Sequence, residues 1–415
     1  ELAKPLTKLT WENAALMSPA TAQKLGLVNS SDAEEAYSAN GKVIRISKGN
    51  LQIDEPIPVL VVVGHADNSI TLPLGFGRSR SGRVGNGIGF NAYKIRSSAA
   101  PYFDFLSSSP SITGGKIELA TTQHHFMMEG RHIVRTATLD EYKKDPNFAH
   151  RDIHEPSQDE SLYPEFDYSK GHKWGMAIDH NACVGCNACV IACQSENNIP
   201  IVGKEQVILG REMQWIRIDN YYQGDPNKPE EVESYFQPML CQHCEKAPCE
   251  VVCPVAATSH DSEGINNMVY NRCVGTRYCS NNCPYKVRRF NFLLFQDWDT
   301  AQYKMMRNPD VSVRSRGVME KCSYCIQRIM SARVEAEKDD NRPIRDGEIV
   351  TACAAACPTD AIVFGDINDQ TSRVARLKND SRNYGVLDDL NTQPRTTYLG
   401  AVRNPNPEIE RLYKR

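Results

Sequence analysis

Fifteen cysteines, grouped in four short runs between residues 183 and 357, constrain the fold of this 415-residue chain more than any other feature. The first run is Cys183-x2-Cys186-x2-Cys189-x3-Cys193, and three partial repeats follow it. Their cysteines are Cys241, Cys244, Cys249 and Cys253; Cys273, Cys279 and Cys283; and Cys322, Cys325, Cys353 and Cys357. Four thiols this close in sequence can wrap an iron–sulfur cluster, and a proline directly after the last cysteine of the later runs is typical of ferredoxins.

Two other uses of cysteine are possible. Disulfide frameworks belong to short secreted chains, and an odd number of cysteines in closely spaced local runs fits them poorly. Zinc is the stronger alternative, because Cys-x2-Cys pairs also form tetrahedral thiolate sites. Zinc sites, however, take two ligands from each of two loops, whereas a run of four cysteines with a trailing proline favours iron–sulfur clusters.

The order of the runs predicts how the ligands pair. In bacterial ferredoxins the first three cysteines of a run hold one cluster, and the fourth reaches across to another. The second and third runs start about thirty residues apart and lie between the first and fourth, so we expect one ferredoxin-like module nested inside another. The predicted ligand sets are Cys183, Cys186, Cys189 with Cys357; Cys322, Cys325, Cys353 with Cys193; Cys241, Cys244, Cys249 with Cys283; and Cys273, Cys279 with Cys253.

The last set has three thiols, because Thr276 stands where the middle cysteine of the third run is expected. A neutral hydroxyl is a poor iron ligand. We therefore predict one [3Fe-4S] cluster at this site and three [4Fe-4S] clusters at the others, or about fifteen irons per chain.

Charge and hydropathy exclude several classes of protein. The net charge is −3, and Arg78, Arg80 and Arg83 form a local group typical of a solvated loop, so no nucleic-acid partner is predicted. The longest apolar run, residues 59–63, is far too short to cross a bilayer. No Cys-x-x-Cys-His sequence occurs, so no covalent haem is predicted on this chain. Five histidines without a fixed spacing are expected at the surface: His124, His125, His132, His150 and His154.

Periodicity divides the chain into four regions. Residues 1–100 are predicted to be mostly β, with strands at 42–47 and 58–63, after a helix at 11–25 that Ser18 and Pro19 can start and Gly26 can end. Residues 101–170 are expected to form a linker. Residues 171–370 form the cluster domain, with strands at 174–179 and 215–219 and a helix from 326 to about 337 that a turn at 339–341 ends. Residues 371–415 are proline-rich and predicted to form an extended tail, laid as a strap on this or another subunit.

Three stretches of the first region, residues 13–22, 25–27 and 82–93, resemble the C-terminal β-barrel of molybdopterin oxidoreductases. In that family the barrel closes over the pterin beside large upstream domains. Such domains are expected before Glu1, on a longer precursor or a separate chain, and no molybdopterin is predicted here. The expected fold class is α+β, a molybdopterin-oxidoreductase-like β-barrel followed by a nested double dicluster ferredoxin-like domain.

Residues 171–415 resemble the four-cluster subunits of polysulfide and dimethyl sulfoxide reductases, most closely over residues 273–291. A barrel fused in front of such a domain is similar to the iron–sulfur subunit of bacterial alternative complex III. That resemblance implies three four-iron clusters, one three-iron cluster and no molybdenum cofactor. It also implies a quinol-binding polytopic membrane subunit and c-type cytochromes as partners, at the periplasmic face of the bacterial inner membrane.

The expected function is electron transfer from quinol, oxidised in the membrane partner, to a cytochrome, with no catalytic site on this chain. Export of a folded cluster protein would require a twin-arginine signal upstream of Glu1. Two alternatives stay open. One is the electron-transfer subunit of a molybdenum reductase for polysulfide or a similar oxyanion, and the other is a scaffold stapled by zinc.

Overall fold

The computed structural model describes residues 1–82, 84–151, 156, 160–161, 163–404, 406 and 408. Arg83 of the predicted basic loop and His154 of the predicted surface group lie outside these residues. The described chain divides into two units. Unit one comprises residues 1–127, 203–210 and 220–235, and unit two comprises residues 128–202, 211–219 and the chain from residue 236 onward.

Short strands and helices alternate along the described residues. The strands are β1 Ala15–Met17, β2 Lys42–Arg45, β3 Ser47–Lys48, β4 Leu51–Gln52, β5 Ile57–Val61, β6 Ser111–Lys116, β7 Thr136–Thr138, β8 Trp174–Asp179, β9 Arg217–Gln223, β10 Glu233–Met239, β11 Thr258–His260, β12 Asn266–Met268, β13 Arg289–Phe290, β14 Met319–Glu320, β15 Ile362–Asp366, β16 Asn383–Tyr384, β17 Thr396–Leu399 and β18 Ala401–Arg403. The α-helices are α1 Pro19–Lys24, α2 Ala33–Ala36, α3 Leu139–Lys144, α4 Ala188–Glu196, α5 Lys204–Ile208, α6 Pro248–Val251, α7 Tyr278–Asn282, α8 Ile326–Lys338, α9 Ala352–Ala355 and α10 Arg373–Lys378.

The core of unit one is a four-stranded sheet in the order β1-β5-β2-β6. Strand β5 is buried along its whole length, which explains its continuous apolar sequence. It pairs in parallel with β1 and antiparallel with β2. Strands β1 and β6 are the edges of the sheet, so its strands do not close into the predicted barrel among the described residues.

The helix predicted at residues 11–25 is shorter in the structure. Its predicted start signals are confirmed: the Thr21 N–H donates to the Ser18 Oγ at 3.1 Å, and Pro19 is the first helical residue of α1. Gly26 follows with φ +75°. Residues 15–17, predicted to be helical, instead form β1, because their register with residues 59–61 of β5 lets them bury apolar side chains in the sheet.

Unit two is built around a second four-stranded sheet, in the order β15-β8-β17-β16. The prediction of a strand at residues 174–179 is confirmed by β8, of which the first five residues are buried. Strand β8 pairs antiparallel with β15 and in parallel with β17. Strand β17 comes from the region predicted to be an extended tail, and it lies in the interior of this sheet, while α10 of the same region is helical.

Three other predicted segments have counterparts in the structure. Helix α8 ends at Lys338, and Asp340 and Asn341 turn the chain with φ +54° and +56°, so the helix from residue 326 and its turn are confirmed. The strand predicted at residues 215–219 lies two residues later, in β9. The region predicted to be a linker, residues 101–170, contains β6, β7 and α3.

The described residues contain no helix with the length and apolar character needed to cross a bilayer.

Candidate iron–sulfur centres

The second run and the end of the third run surround one small cavity in unit two. The thiols that line it are those of Cys241, Cys244, Cys249 and Cys283, and all four cysteines are buried. Burial raises the pKa of the Cys244 thiol, and the three other thiols raise it further. The structure therefore brings together the four residues of one predicted ligand set.

A second cavity in unit two is lined by Cys253, Cys273 and Cys279. Thr276 lines the same cavity, on the loop that enters α7. The rest of the lining is mainly apolar, with Val255, Ala257, Met268 and Met319. This site thus combines three thiols with one neutral hydroxyl, which is the donor set that the sequence predicts there.

Cysteines of the first and fourth runs lie next to one another in the folded chain. Burial raises the pKa of the Cys189 thiol, and its neighbours add to that effect; these are Cys353, Cys183, Cys186 and Cys357. Burial likewise raises the pKa of the Cys193 thiol, and the thiols beside it are Cys322, Cys325 and Cys353. Each of the two predicted ligand sets is therefore grouped around a thiol of the first run, and Cys353 is near both.

Left-handed residues direct the loops that precede the helices. Gly185 and Asn187, with φ +66° and +65°, stand between the first three cysteines and start α4. Gly275 and Arg277, with φ +75° and +63°, repeat this pattern before α7. Residues in this conformation reverse the chain within a few positions. The thiols before and inside each helix can then point to a common centre.

The Cys-Pro sequences form a recurring turn. Ala256 and Asp360 each stand three residues after such a cysteine with positive φ, +48° and +53°. In both turns the next backbone N–H donates to the sulfur: Ala257 to Cys253 Sγ at 3.2 Å, and Ala361 to Cys357 Sγ at 3.3 Å. Burial would raise the pKa of both thiols, but hydrogen bonds hold each pKa below its usual value: those of backbone N–H groups at Cys253, and those of the Thr359 hydroxyl and of backbone N–H groups at Cys357. These donors therefore stabilise a thiolate at Cys253 and at Cys357.

Cys193 is held in another way, because its run has no proline. It remains inside α4, and the Asn197 side chain donates to its sulfur at 3.6 Å and to its carbonyl at 3.1 Å. In the fourth run the Tyr324 N–H donates to Cys322 Sγ and the Ala352 N–H to Cys325 Sγ, both at 3.4 Å. Donors of this kind stabilise the negative charge of a cluster and its thiolates.

Polar atoms without a partner also line the four-thiol cavity. Asn266 lies beside it and is 1% exposed, yet neither its Nδ2 nor its Oδ1 has a hydrogen-bond partner in the described structure. Buried polar atoms are rarely left unpaired. A group with acceptor atoms between the four thiols would satisfy the amide donor, so this cavity fits an iron–sulfur cluster.

Geometry also bears on the two other uses of cysteine. All fifteen cysteines are free thiols, so the disulfide alternative is excluded. Among the described residues, no group of three or more His, Cys, Asp or Glu side chains is close enough to hold a single metal ion. A cluster with several irons keeps its thiolate ligands further apart than one tetrahedral zinc ion does.

The predicted surface histidines within the described chain, namely His124, His125, His132 and His150, are exposed as expected.

These features define an iron–sulfur protein of the dicluster ferredoxin class. Two families, each described as a 4Fe-4S dicluster domain, match residues 182–257 and 232–304. The first match includes the first two cysteine runs, and the second includes the second and third.

Curated relatives give the family. The iron–sulfur cluster-binding subunit of menaquinone reductase from Nitratidesulfovibrio vulgaris is 42% identical over 230 residues, 55% of this chain and 88% of the relative. Iron–sulfur subunit 1 of the Hdr-like menaquinol oxidoreductase of Archaeoglobus fulgidus is 34% identical over 244 residues, 54% and 82% of the two chains. The B component of the polysulfide reductase of Wolinella succinogenes is 30% identical over 239 residues, 57% and 98%. This chain belongs to the family of iron–sulfur electron-transfer subunits of menaquinol, polysulfide and dimethyl sulfoxide reductase-type complexes.

Sequence reasoning missed the donors around the thiols. Asn197 and Asn266 carry no local signal, because asparagine is common in loops and helix ends. Arg288 is different: it lies in residues 273–291, the stretch that carries the strongest resemblance, and its contact with Cys249 Sγ appears only in the folded chain.

Proposed function

We propose that this chain carries electrons through four iron–sulfur centres, from a quinol-oxidising membrane subunit to a c-type cytochrome. Three centres are [4Fe-4S] clusters and one is a [3Fe-4S] cluster. Their ligands are Cys183, Cys186, Cys189 and Cys357; Cys322, Cys325, Cys353 and Cys193; Cys241, Cys244, Cys249 and Cys283; and, for the three-iron cluster, Cys273, Cys279 and Cys253. When bound, these clusters supply one-electron redox chemistry with potentials that depend on their surroundings.

The observation that carries the proposal is the grouping of the thiols into four neighbouring sets. One cavity has four thiols, and another has three thiols with Thr276. An oxygen donor that keeps its proton does not replace a thiolate on iron. The cavity with Thr276 therefore suits a three-iron cluster better than a four-iron cluster.

The neighbours of the thiols support a linear order of the four sets. Cys189 interacts with Cys353, which connects the sets containing Cys183 and Cys322. Cys322 in turn interacts with Cys241. At the next step, Arg288 interacts with both Cys249 and Cys279. The set with Cys183 and the set with Thr276 are then the two ends of the path.

The solvent exposure of the cysteines is consistent with these two sets as the ends of the path. Cys186 is exposed, and Cys253 and Cys273 are partly exposed, whereas every cysteine of the two middle sets is buried. Electrons can therefore enter and leave at the ends, while the middle sets are shielded from solvent.

The finer assignment follows the resemblance to alternative complex III. It comprises upstream molybdopterin-oxidoreductase-like domains without molybdenum, c-type cytochrome partners and a peripheral position at the periplasmic face of the inner membrane. The menaquinone reductase and menaquinol oxidoreductase subunits among the relatives support a quinol as the electron donor or acceptor of the complex.

A second candidate is the electron-transfer subunit of a molybdopterin-dependent reductase. The polysulfide reductase component and a putative iron–sulfur component of dimethyl sulfoxide reductase from Halobacterium salinarum favour it. Under this proposal the same four centres deliver electrons to a molybdenum site on another chain.

Metal analysis and quinol reduction of the purified complex distinguish the two candidates. The first predicts iron and haem without stoichiometric molybdenum, reduction of the clusters by a quinol analogue under anaerobic conditions, and reoxidation by added cytochrome c. Stoichiometric molybdenum and reoxidation by polysulfide would support the second. Clusters that a quinol cannot reduce would contradict both.

A further inference from the structure

Arg288 is a buried cation that contacts one of the thiols directly. It is 4% exposed, and its Nη1 donates to the Cys249 Sγ at 3.2 Å. Its Nη2 donates to the Thr258 Oγ1 at 2.7 Å and lies 3.2 Å from the Met268 Sδ. A guanidinium carries its charge at every physiological pH, so a fixed positive charge lies beside this thiol.

The same side chain stands between two of the cavities. Arg288 and Cys249 line the cavity with four thiols. The two groups that hold its other nitrogen, Thr258 and Met268, line the cavity with Thr276. One guanidinium therefore connects the walls of both sites.

No carboxylate balances this charge within the described residues, where Arg288 forms no ion pair with Asp or Glu. Burying an unpaired charge is costly, so another group must compensate it. Burial alone would lower the pKa of Arg288, but the pKa is raised by thiols of both sets, first Cys249 and Cys279, then Cys241 and Cys283. The groups near this charge are therefore thiols that line both cavities, and Cys249 is the one that contacts it directly.

We propose that Arg288 sets the reduction potentials of the two centres that flank it, raising both relative to a site without the cation. The inference rests on the ligand sets proposed above. Adding one electron to either centre adds one negative charge without breaking a bond. A fixed positive charge in a medium of low dielectric constant favours that reduced state, and a hydrogen bond to the Cys249 sulfur acts in the same direction. Arg288 is a positioning residue here and has no catalytic role of its own.

The next residue provides a matched control. Arg289 is also largely buried, but its Nη1 pairs with the Glu212 Oε1 at 2.9 Å and its Nε donates to the Gln214 carbonyl at 3.2 Å. After burial, which lowers the pKa of Arg289, the groups that most influence this pKa are Glu212, Arg217 and Asp219, and none of them is a cysteine. Arg289→Gln removes the same charge as Arg288→Gln, one residue further along the chain. It leaves the hydrogen-bond partner of the Cys249 thiol in place.

The test is a redox titration of the iron-loaded full chain, followed by electron paramagnetic resonance, with wild type, Arg288→Gln, Arg288→Lys and Arg289→Gln. We expect Arg288→Gln to shift the midpoint potentials of the three-iron centre and of one four-iron centre to lower values. Arg288→Lys keeps the charge and is expected to stay closer to wild type. Arg289→Gln should leave all four potentials unchanged, and no variant should move the centre at Cys183.

Unchanged potentials in Arg288→Gln, or equal shifts in Arg289→Gln, would overturn the proposal. If Arg288→Gln does not retain iron, the iron content of Arg288→Lys distinguishes charge from packing. The proposal predicts that Arg288→Lys retains its iron. An equal loss of iron in both variants would show that this residue supplies packing and not charge. Absence of a three-iron signal in wild type would disprove the ligand assignment. The shift at the four-iron centre of Cys249 would still test Arg288.

Discussion

The rings of His243 and Tyr324 stack with their centroids 3.8 Å apart and an angle of 23° between their planes. His243 lies between two cysteines of the second run, and Tyr324 lies between two of the fourth. Both are buried. The Tyr324 hydroxyl also hydrogen bonds to the Thr396 Oγ1 of β17 at 2.6 Å. This pair therefore joins two ligand loops to the central sheet of unit two.

Removing this stack should destabilise the protein in proportion to what is removed. Tyr324→Phe loses one buried hydrogen bond, which costs about 0.5–1.5 kcal/mol. Tyr324→Ala also loses the ring and leaves a cavity, for which about 3–5 kcal/mol is expected. The measurement is the urea concentration at which the visible absorbance of the clusters is lost. Equal midpoints for the two variants would show that the ring contributes little.

Gly185 leaves no room for a side chain inside the first ligand loop. Its φ is +66°, and an added Cβ would lie 2.6 Å from atoms of the Phe236 ring. We expect Gly185→Ala to lower the iron content and the stability of the chain. The control is Gly171→Ala, where φ is +81° but nothing lies within 4 Å, so backbone strain alone should cost about 1–2 kcal/mol. Equal losses in both variants would rule out the steric explanation.

The pair of His172 and Asp366 should make stability depend on pH. The His172 Nδ1 lies 2.7 Å from the Asp366 Oδ2. This hydrogen bond raises the pKa of His172 above 6.5 more than burial lowers it. Burial would raise the pKa of Asp366, but hydrogen bonds from His172 and from two backbone N–H groups hold it below 3.8.

The two groups stabilise the fold in different pH ranges. The stability that His172 contributes is fully present below pH 6.5 and is lost as the pH rises through the raised pKa of His172. The stability that Asp366 contributes is present above pH 3.8 and is lost as the pH falls through the lowered pKa of Asp366. The unfolding free energy of wild type minus that of His172→Gln should therefore be largest at mildly acidic pH and decrease above pH 6.5. A difference that stays constant into the alkaline range would contradict this assignment.

A buried ion pair supports the loop before the fourth run. The side chains of Arg314 and Glu320 are each 1% exposed, and the Arg314 Nη2 lies 2.8 Å from the Glu320 Oε2. The Glu320 Oε1 accepts a hydrogen bond from the Asn291 Nδ2. Glu320→Gln leaves the guanidinium buried without its counter-charge, so about 3–5 kcal/mol of stability should be lost. Glu335→Gln is the control, because Glu335 pairs with Lys338 at the exposed surface of α8 and should change stability little. Urea unfolding of the two variants tests this, and similar small losses would argue against the buried pair.

Local signals predicted the local parts of the fold. The cap at Ser18, strand β8 and helix α8 with its turn follow from capping, alternation and helical periodicity within short windows. Spacing and trailing prolines predicted four groups of thiols, and two cavities bring together the members of two of these groups. Partners distant in sequence could not be predicted, because no short window contains them. Residues 15–17 become a strand only beside residues 59–61, and residues 396–399 enter the central sheet only beside β8. The role of Arg288 likewise depends on its burial beside Cys249.

The central claim is that four thiol sets hold three four-iron clusters and one three-iron cluster, and that Thr276 is the reason for the difference. Counting iron and recording the electron paramagnetic resonance spectrum of the oxidised full chain tests it most directly, in wild type and in Thr276→Cys. We predict about fifteen irons and a three-iron signal in wild type, and about sixteen irons without that signal in the variant. A wild-type chain with about sixteen irons and no three-iron signal, or one that holds zinc in place of iron, would contradict the account.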